Sequence, residues 1–175
     1  MKYVKGFKDF VVSEGFRYHM ENGLDITNSV YRIGSEAYRN LFEETKKYWD
    51  EGNVILKGKA AWMAKNLEVG KPAVDREGKK VELDTPKRGG NKKFYVYHNS
   101  GKKDEDGNVI ANRIEWGDTG GLSIKNDDPK ASASFWARHQ CDLEKKMDPS
   151  KAGFWACYAS TLFSKQLGLM SDAPW

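Results

Sequence analysis

The sequence predicts an α+β fold: a helical N-terminal region over residues 1–90 that ends in a short β-hairpin, then a small β-hairpin-plus-helices C-terminal module over residues 91–175. Three observations predict it. Apolar and aromatic residues recur at three- and four-residue intervals as far as Leu67. From Pro72 the pattern changes to short β-prone runs separated by turn residues. After Asp127-Asp128-Pro129 helical spacing returns, now with both cysteines and half of the tryptophans.

The first helix is expected from Phe7 to Asn22, with Phe7, Phe10, Val11, Phe16 and Met20 on its apolar side, Gly15 weakening its middle and Asn22-Gly23 stopping it. Ser35 opens the second, whose Ala37, Tyr38, Leu41, Phe42, Thr45, Tyr48 and Trp49 share a face before Gly52. A third runs from about Gly58 to Leu67 and is stopped by Gly70-Lys71-Pro72. Pro72-Ala73-Val74 and Val81-Glu82-Leu83 flank a turn at residues 75–78 and read as a hairpin. The stretch Lys87-Arg88-Gly89-Gly90-Asn91-Lys92-Lys93 reads as a linker, which puts a boundary near residue 90. Beyond it, Phe94 to His98 and Ile110 to Trp116 are antiparallel strands around a polar loop from Asn99 to Asn108, and Leu122 to Lys125 is a third. Asp128 with Pro129 starts a helix carrying Ala133, Phe135, Trp136 and His139, and a last helix spans about Trp155 to Leu167.

With 39% hydrophobic and 31% charged residues, 175 residues suffice for one ordinary core or two small ones. The 29 basic residues outnumber 25 acidic ones by only four, too even a balance to demand a polyanionic partner. No apolar run approaches the roughly 20 residues that span a bilayer, and Met1-Lys2-Tyr3-Val4-Lys5-Gly6 lacks the apolar core of a secretion signal. The expectation is a soluble protein without membrane partners, cytoplasmic where it is made, a setting that keeps thiols reduced unless the protein ends up outside the cell. Aromatic residues make up 13% of the chain, enough that some rings should meet a partner.

The two cysteines and one of the three histidines meet in Arg138-His139-Gln140-Cys141 and Gly153-Phe154-Trp155-Ala156-Cys157. A zinc site would use His139, Cys141 and Cys157, with His98, Asp142 or Asp128 as the fourth ligand, because structural zinc takes four donors in a tetrahedron. The same sulfurs could form a disulfide or remain as buried thiols. No Cys-x-x-Cys supports the metal. From Lys87 to Lys103 six basic residues and no acid interleave with Phe94, Tyr95 and Tyr97. Amines on phosphates and rings under bases are how single strands are held, which makes Lys87, Arg88, Lys92, Lys93, Tyr95 and Tyr97 a nucleic-acid candidate set. The Asp104-Glu105-Asp106 tip of the same loop favours a solvated hairpin instead. No nucleophile beside a base, no paired-carboxylate framework and no phosphate-binding glycine loop is visible, so no catalysis is expected.

Lys92-Lys93-Phe94-Tyr95-Val96-Tyr97, Gly107-Asn108-Val109, Trp116-Gly117-Asp118, Asp128-Pro129-Lys130-Ala131, Phe135-Trp136-Ala137-Arg138-His139-Gln140-Cys141 and Gly153-Phe154-Trp155-Ala156-Cys157 together resemble a small domain common in tailed bacteriophages, especially marine ones. The N-terminal segments Val30 to Glu36 and Val81 to Asp84 with Pro86 to Gly90 are similar to proteins of the same phages. The family usually carries Tyr-Trp-Ser-Cys where this chain has Phe154-Trp155-Ala156-Cys157. The resemblance implies a phage protein, often encoded among head and structural genes, with no defined activity; the expectation built on it is a non-enzymatic virion component associated with capsid, portal or neck, or tail, found in the host cytoplasm during assembly. It also implies that His139, Cys141 and Cys157 act as a structural clamp. Its partners would be other virion proteins or further copies of itself, reached through Trp49, Trp136, Trp155 and Trp175. No cofactor is expected unless zinc occupies the cysteine site.

Overall fold

The computed structural model describes residues 2–3, 12–120, 128–141, 147–163 and 167. Helices and strands are both present, as an α+β chain requires, and the chain divides into two compact units, Met1–Lys71 and Pro72–Trp175. The division precedes the expected boundary near residue 90. The reason is hydrogen bonding: the segment from Pro72 to Arg88 pairs into the C-terminal sheet, and the basic glycine-rich stretch expected to be a linker begins with an edge strand.

In the first unit, β1 (Lys2–Tyr3) pairs antiparallel with β2 (Val54–Ile55). The helices are α1 (Glu14–Glu21), α2 (Glu36–Asp50) and α3 (Gly58–Asn66). The start of α1 lies later than Phe7 because Ser13 is extended and caps it, its hydroxyl accepting the Phe16 N–H at 3.2 Å. That same hydroxyl donates to Glu44 on α2 at 2.5 Å, so the cap also joins two helices. Phe7, Phe10 and Val11 lie outside the described residues.

Ser35 caps α2 as expected, accepting from the Tyr38 N–H at 3.2 Å. Tyr38, Leu41, Phe42, Thr45 and Tyr48 face the core, Trp49 is half-buried and Ala37 is exposed. Phe16 and Tyr48 meet at a ring separation of 5.1 Å. The Tyr38 hydroxyl donates to the Ile26 carbonyl at 2.7 Å, and burial, with Asp25 adding to it, raises this phenol well above its ordinary range. His19 is fully buried: its Nδ1 bonds the Gly15 carbonyl at 2.7 Å, and Nε2 lies 3.0 Å from the Ser29 hydroxyl and accepts the Val30 N–H. Its hydrogen bonds make it a structural residue of the core.

In the second unit, β3 (Pro72–Val74) and β4 (Lys80–Glu82) form the expected hairpin. β6 (Phe94–Lys103) and β7 (Val109–Trp116) form another, while β5 (Lys87–Arg88) pairs antiparallel with β6. The two hairpins are not separate pieces. Val74 pairs in parallel with Ile110, giving among the described residues one five-stranded mixed sheet in the order β4-β3-β7-β6-β5. Leu83, just past β4 at one edge, bridges to Tyr97 of β6 near the other, so the sheet curls on itself. Leu83, Ala73 and Ala111 are buried within the curl, with Val81, Tyr97 and Val109 packed against them.

The β6–β7 ladder continues past His98 to Lys103, absorbing a register shift between Asn99 and Lys102, so the connecting turn is shorter than the expected loop. The Asp104 carboxylate closes that turn by accepting from the Asn108 backbone and side chain at 2.7 and 2.9 Å, and the Asn108 side chain holds it below the usual carboxylate range. Among the described residues the unit also has two helices, α4 (Pro129–His139) and α5 (Ala152–Leu162). The last helix thus starts earlier and stops sooner than predicted. The expected strand at Leu122–Lys125 and the terminal Trp175 lie outside the described residues.

Candidate functional site

The cysteine module forms where α4 ends. Asp128 caps the helix by accepting from the N–H groups of Lys130 and Ala131, both at 3.0 Å, and Pro129 occupies the first turn. At the other end Gln140 takes a left-handed conformation, φ 52°, which turns the chain and delivers Cys141 toward α5. Cys141 and Cys157 are joined as a disulfide, their Cα atoms 5.5 Å apart. Around the bond, Trp136 lies edge-on to Tyr158 at 5.4 Å and the Tyr158 hydroxyl donates to the Cys141 carbonyl.

This arrangement removes the zinc reading. Sulfurs bonded to each other supply no thiolate, and of the four proposed nitrogen and oxygen ligands His139, His98 and Asp128 are engaged elsewhere. The exposed His139 ring rests on Phe135 at 4.3 Å, His98 binds Asp84, and Asp128 is the helix cap. Asp142 lies outside the described residues. Among the described residues no group of three or more His, Cys, Asp or Glu side chains could hold a metal ion. Of the two readings left open beside zinc, disulfide and buried thiols, the structure has the disulfide.

The tryptophans expected at an interface divide by burial. Trp155 has no exposed surface: its Nε1 donates to the Pro149 carbonyl at 2.7 Å. Its ring stacks on Trp116 at 5.8 Å, Trp116 stacks on Phe94 at 5.7 Å, and Phe163 follows on the other side at 5.9 Å. This row of rings carries the sheet into α5 and is core, so Trp155 is not a docking residue. Trp136 and, in the first unit, Trp49 are half-buried. Among the described residues, the large apolar side chains most exposed are Tyr18, Val30 and Ile55, which lie in the first unit.

The basic and aromatic set is likewise split, because side chains alternate across a sheet. Lys87 pairs with Tyr95 on one face, and Arg88 with Phe94 on the other. Lys87 forms an ion pair with Glu82 at 3.2 Å. Arg113 lies 4.3 Å above the Tyr95 ring and binds Glu115 at 2.8 Å. Tyr97 meets Tyr95 edge-on at 5.9 Å and packs on the Leu83 cluster. On the other face, Arg88 and Lys93 both sit over Phe94, and Arg88 Nε donates to the Leu167 carbonyl at 2.7 Å. Lys92 is exposed. The six candidates therefore do not make one continuous surface.

Sequence reading missed Asp84. Its carboxylate has no exposed surface, its φ is 48°, and Oδ1 lies 2.6 Å from His98 Nδ1. Its N–H donates to the Tyr97 carbonyl at 2.8 Å. The pair fixes the turn at Asp84-Thr85-Pro86, through which the chain passes from β4 to β5, against β6. Asp148, just before α5, is held below the usual carboxylate range chiefly by the Ser150 hydroxyl, then by the Ser150 N–H, with smaller help from Lys151 and His98. The turn residues were visible in the sequence, but only the register of β6 brings His98 beside them.

Compared with protein-family models, curated proteins and solved structures, the chain finds no match in any of the three. Among the described residues, no helix is long and apolar enough to cross a membrane.

Proposed function

We propose that this chain is a non-enzymatic virion component of a tailed bacteriophage, acting by docking to other virion proteins or to further copies of itself. One observation carries the reading. The segments that resemble the phage domain, Phe135 to Cys141 and Gly153 to Cys157, meet in a covalently closed helix pair whose chemically able groups are spent on structure. The sulfurs are bonded, Trp155 is core, and the Asp84–His98 pair secures a turn. Among the described residues of the second unit, the half-buried Phe135 and Trp136 on α4 remain for a partner. The first unit adds Tyr18, Val30, Ile55 and half-buried Trp49. Mass spectrometry of purified particles is expected to find the protein at a fixed stoichiometry to the major capsid protein; particles that lack it end this reading.

A second reading, nucleic-acid binding through Lys87 to Lys103, has one observation in its favour: Lys87, Tyr95 and Arg113 lie together on one sheet face. It requires affinity for single strands that falls steeply with added salt and drops again in Lys92→Ala with Lys93→Ala. Salt-insensitive or absent binding removes it.

A further inference from the structure

We infer that the Cys141–Cys157 disulfide is a redox-controlled clasp: it holds α4 to α5, and its reduction by a dithiol releases α4, which then unravels, while the sheet and α5 remain folded. The two helices are anchored differently. No described residue of α4 is buried, whereas α5 contributes Phe154, Trp155 and Cys157 to the core. Among the described residues, the links that tie α4 to α5 lie toward its C-terminal end: the Trp136–Tyr158 ring contact, the bond from the Tyr158 hydroxyl to the Cys141 carbonyl, and the disulfide itself. The row Phe94–Trp116–Trp155–Phe163 holds α5 to the sheet without help from α4.

The chemistry balances with the dithiol as reductant. Its thiolate attacks one cysteine sulfur, giving a mixed disulfide and releasing the other cysteine as thiolate. The second thiol of the reagent then displaces the first cysteine and closes to a cyclic disulfide. Two electrons and two protons end on Cys141 and Cys157. Both cysteines are buried, so attack follows a local opening of α4, and reduction removes the bond that recloses it. Once detached, an 11-residue helix is below the roughly 12–15 residues at which isolated helices begin to persist in water, so α4 should lose its helical hydrogen bonds.

Hydrogen–deuterium exchange of the full chain, with and without dithiothreitol, tests this, with the thiol state confirmed by alkylation and mass. The expected result is exchange faster by at least about tenfold in residues 132–139 after reduction, with β6 and β7 unchanged. Re-oxidation should restore protection. The Cys141→Ser, Cys157→Ser double variant should reproduce the reduced pattern without reductant; if it does not fold, the reduced natural chain still decides. Unchanged exchange in α4 with both thiols alkylated overturns the clasp, as does simultaneous loss of protection across the whole second unit. Two free thiols in the untreated protein, or failure to recover protection on re-oxidation, overturns it too.

Discussion

Asp84 combines three demands that few residues meet: a left-handed backbone, complete burial and a hydrogen bond to an imidazole. Asp and Asn tolerate φ > 0, whereas alanine there costs about 1–2 kcal/mol and also leaves His98 without its carboxylate. Asp84→Ala should therefore lower stability in urea by about 2–4 kcal/mol. Asp84→Asn, which keeps the backbone preference and an acceptor, should lose less than half as much. Equal losses would show that backbone conformation plays no part. Tyr38 gives a pH signature. Its burial favours the protonated phenol, so the folded chain keeps a proton that the unfolded chain releases above about pH 10. Stability from this residue is thus constant below that pH and falls as pH rises beyond it. Tyr38→Phe should shrink the alkaline fall, while costing about 1–3 kcal/mol at neutral pH because the Ile26 carbonyl loses its donor. Denaturant curves at several pH values read both effects. Ser35 and Asp128 were legible as helix caps because a cap acts on its own next turn. Asp84 was not, because its partner lies 14 residues away and is fixed only by sheet register.

Helices α2 and α3 and both hairpins follow from spacing and turn residues, since their main stabilising contacts are periodic or local. One element does not. The two residues of β5 sit among lysines and glycines and become a strand only because β6 offers a free edge. The apolar side chains of α4 gave its helical spacing but not its anchor: none of them is buried, and the bond at its C-terminal end ties it to α5. A bridge closing a loop of this length contributes about 3 kcal/mol by restricting the unfolded chain. The loop between β5 and β6 offers a sharper test. Gly90 has φ 94°, and a Cβ there would stand 2.6 Å from Glu115 Oε1 and against the Arg113 guanidinium. Gly90→Ala should cost at least about 1–2 kcal/mol and disturb the ion pair over Tyr95. A melting temperature equal to that of the natural chain would contradict that geometry.

At the scale of the molecule, the α+β class was legible but its partition was not. A linker was inferred from composition at residues 87–93, and the sheet ignores it, because β3 reaches across in sequence to pair in parallel with β7. Long-range pairing leaves no periodic trace in a single chain. The same limit hid the function of the aromatic residues: a high ring content announces burial but does not say whether protein or partner supplies it. In the second unit the protein supplies much of it, through the stacked row that ends on α5. Trp155→Ala should therefore cost about 3–5 kcal/mol and abolish most of the near-ultraviolet circular dichroism of the stacked indoles. A small loss with that spectrum retained would mean the row is dispensable. The curled sheet has a consequence for crowding. Among the described residues its border strands are three and two residues long and each carries a lysine, so neighbouring copies packed at high density find little ladder there on which to add a strand. Such a module can be concentrated by assembly without seeding fibres.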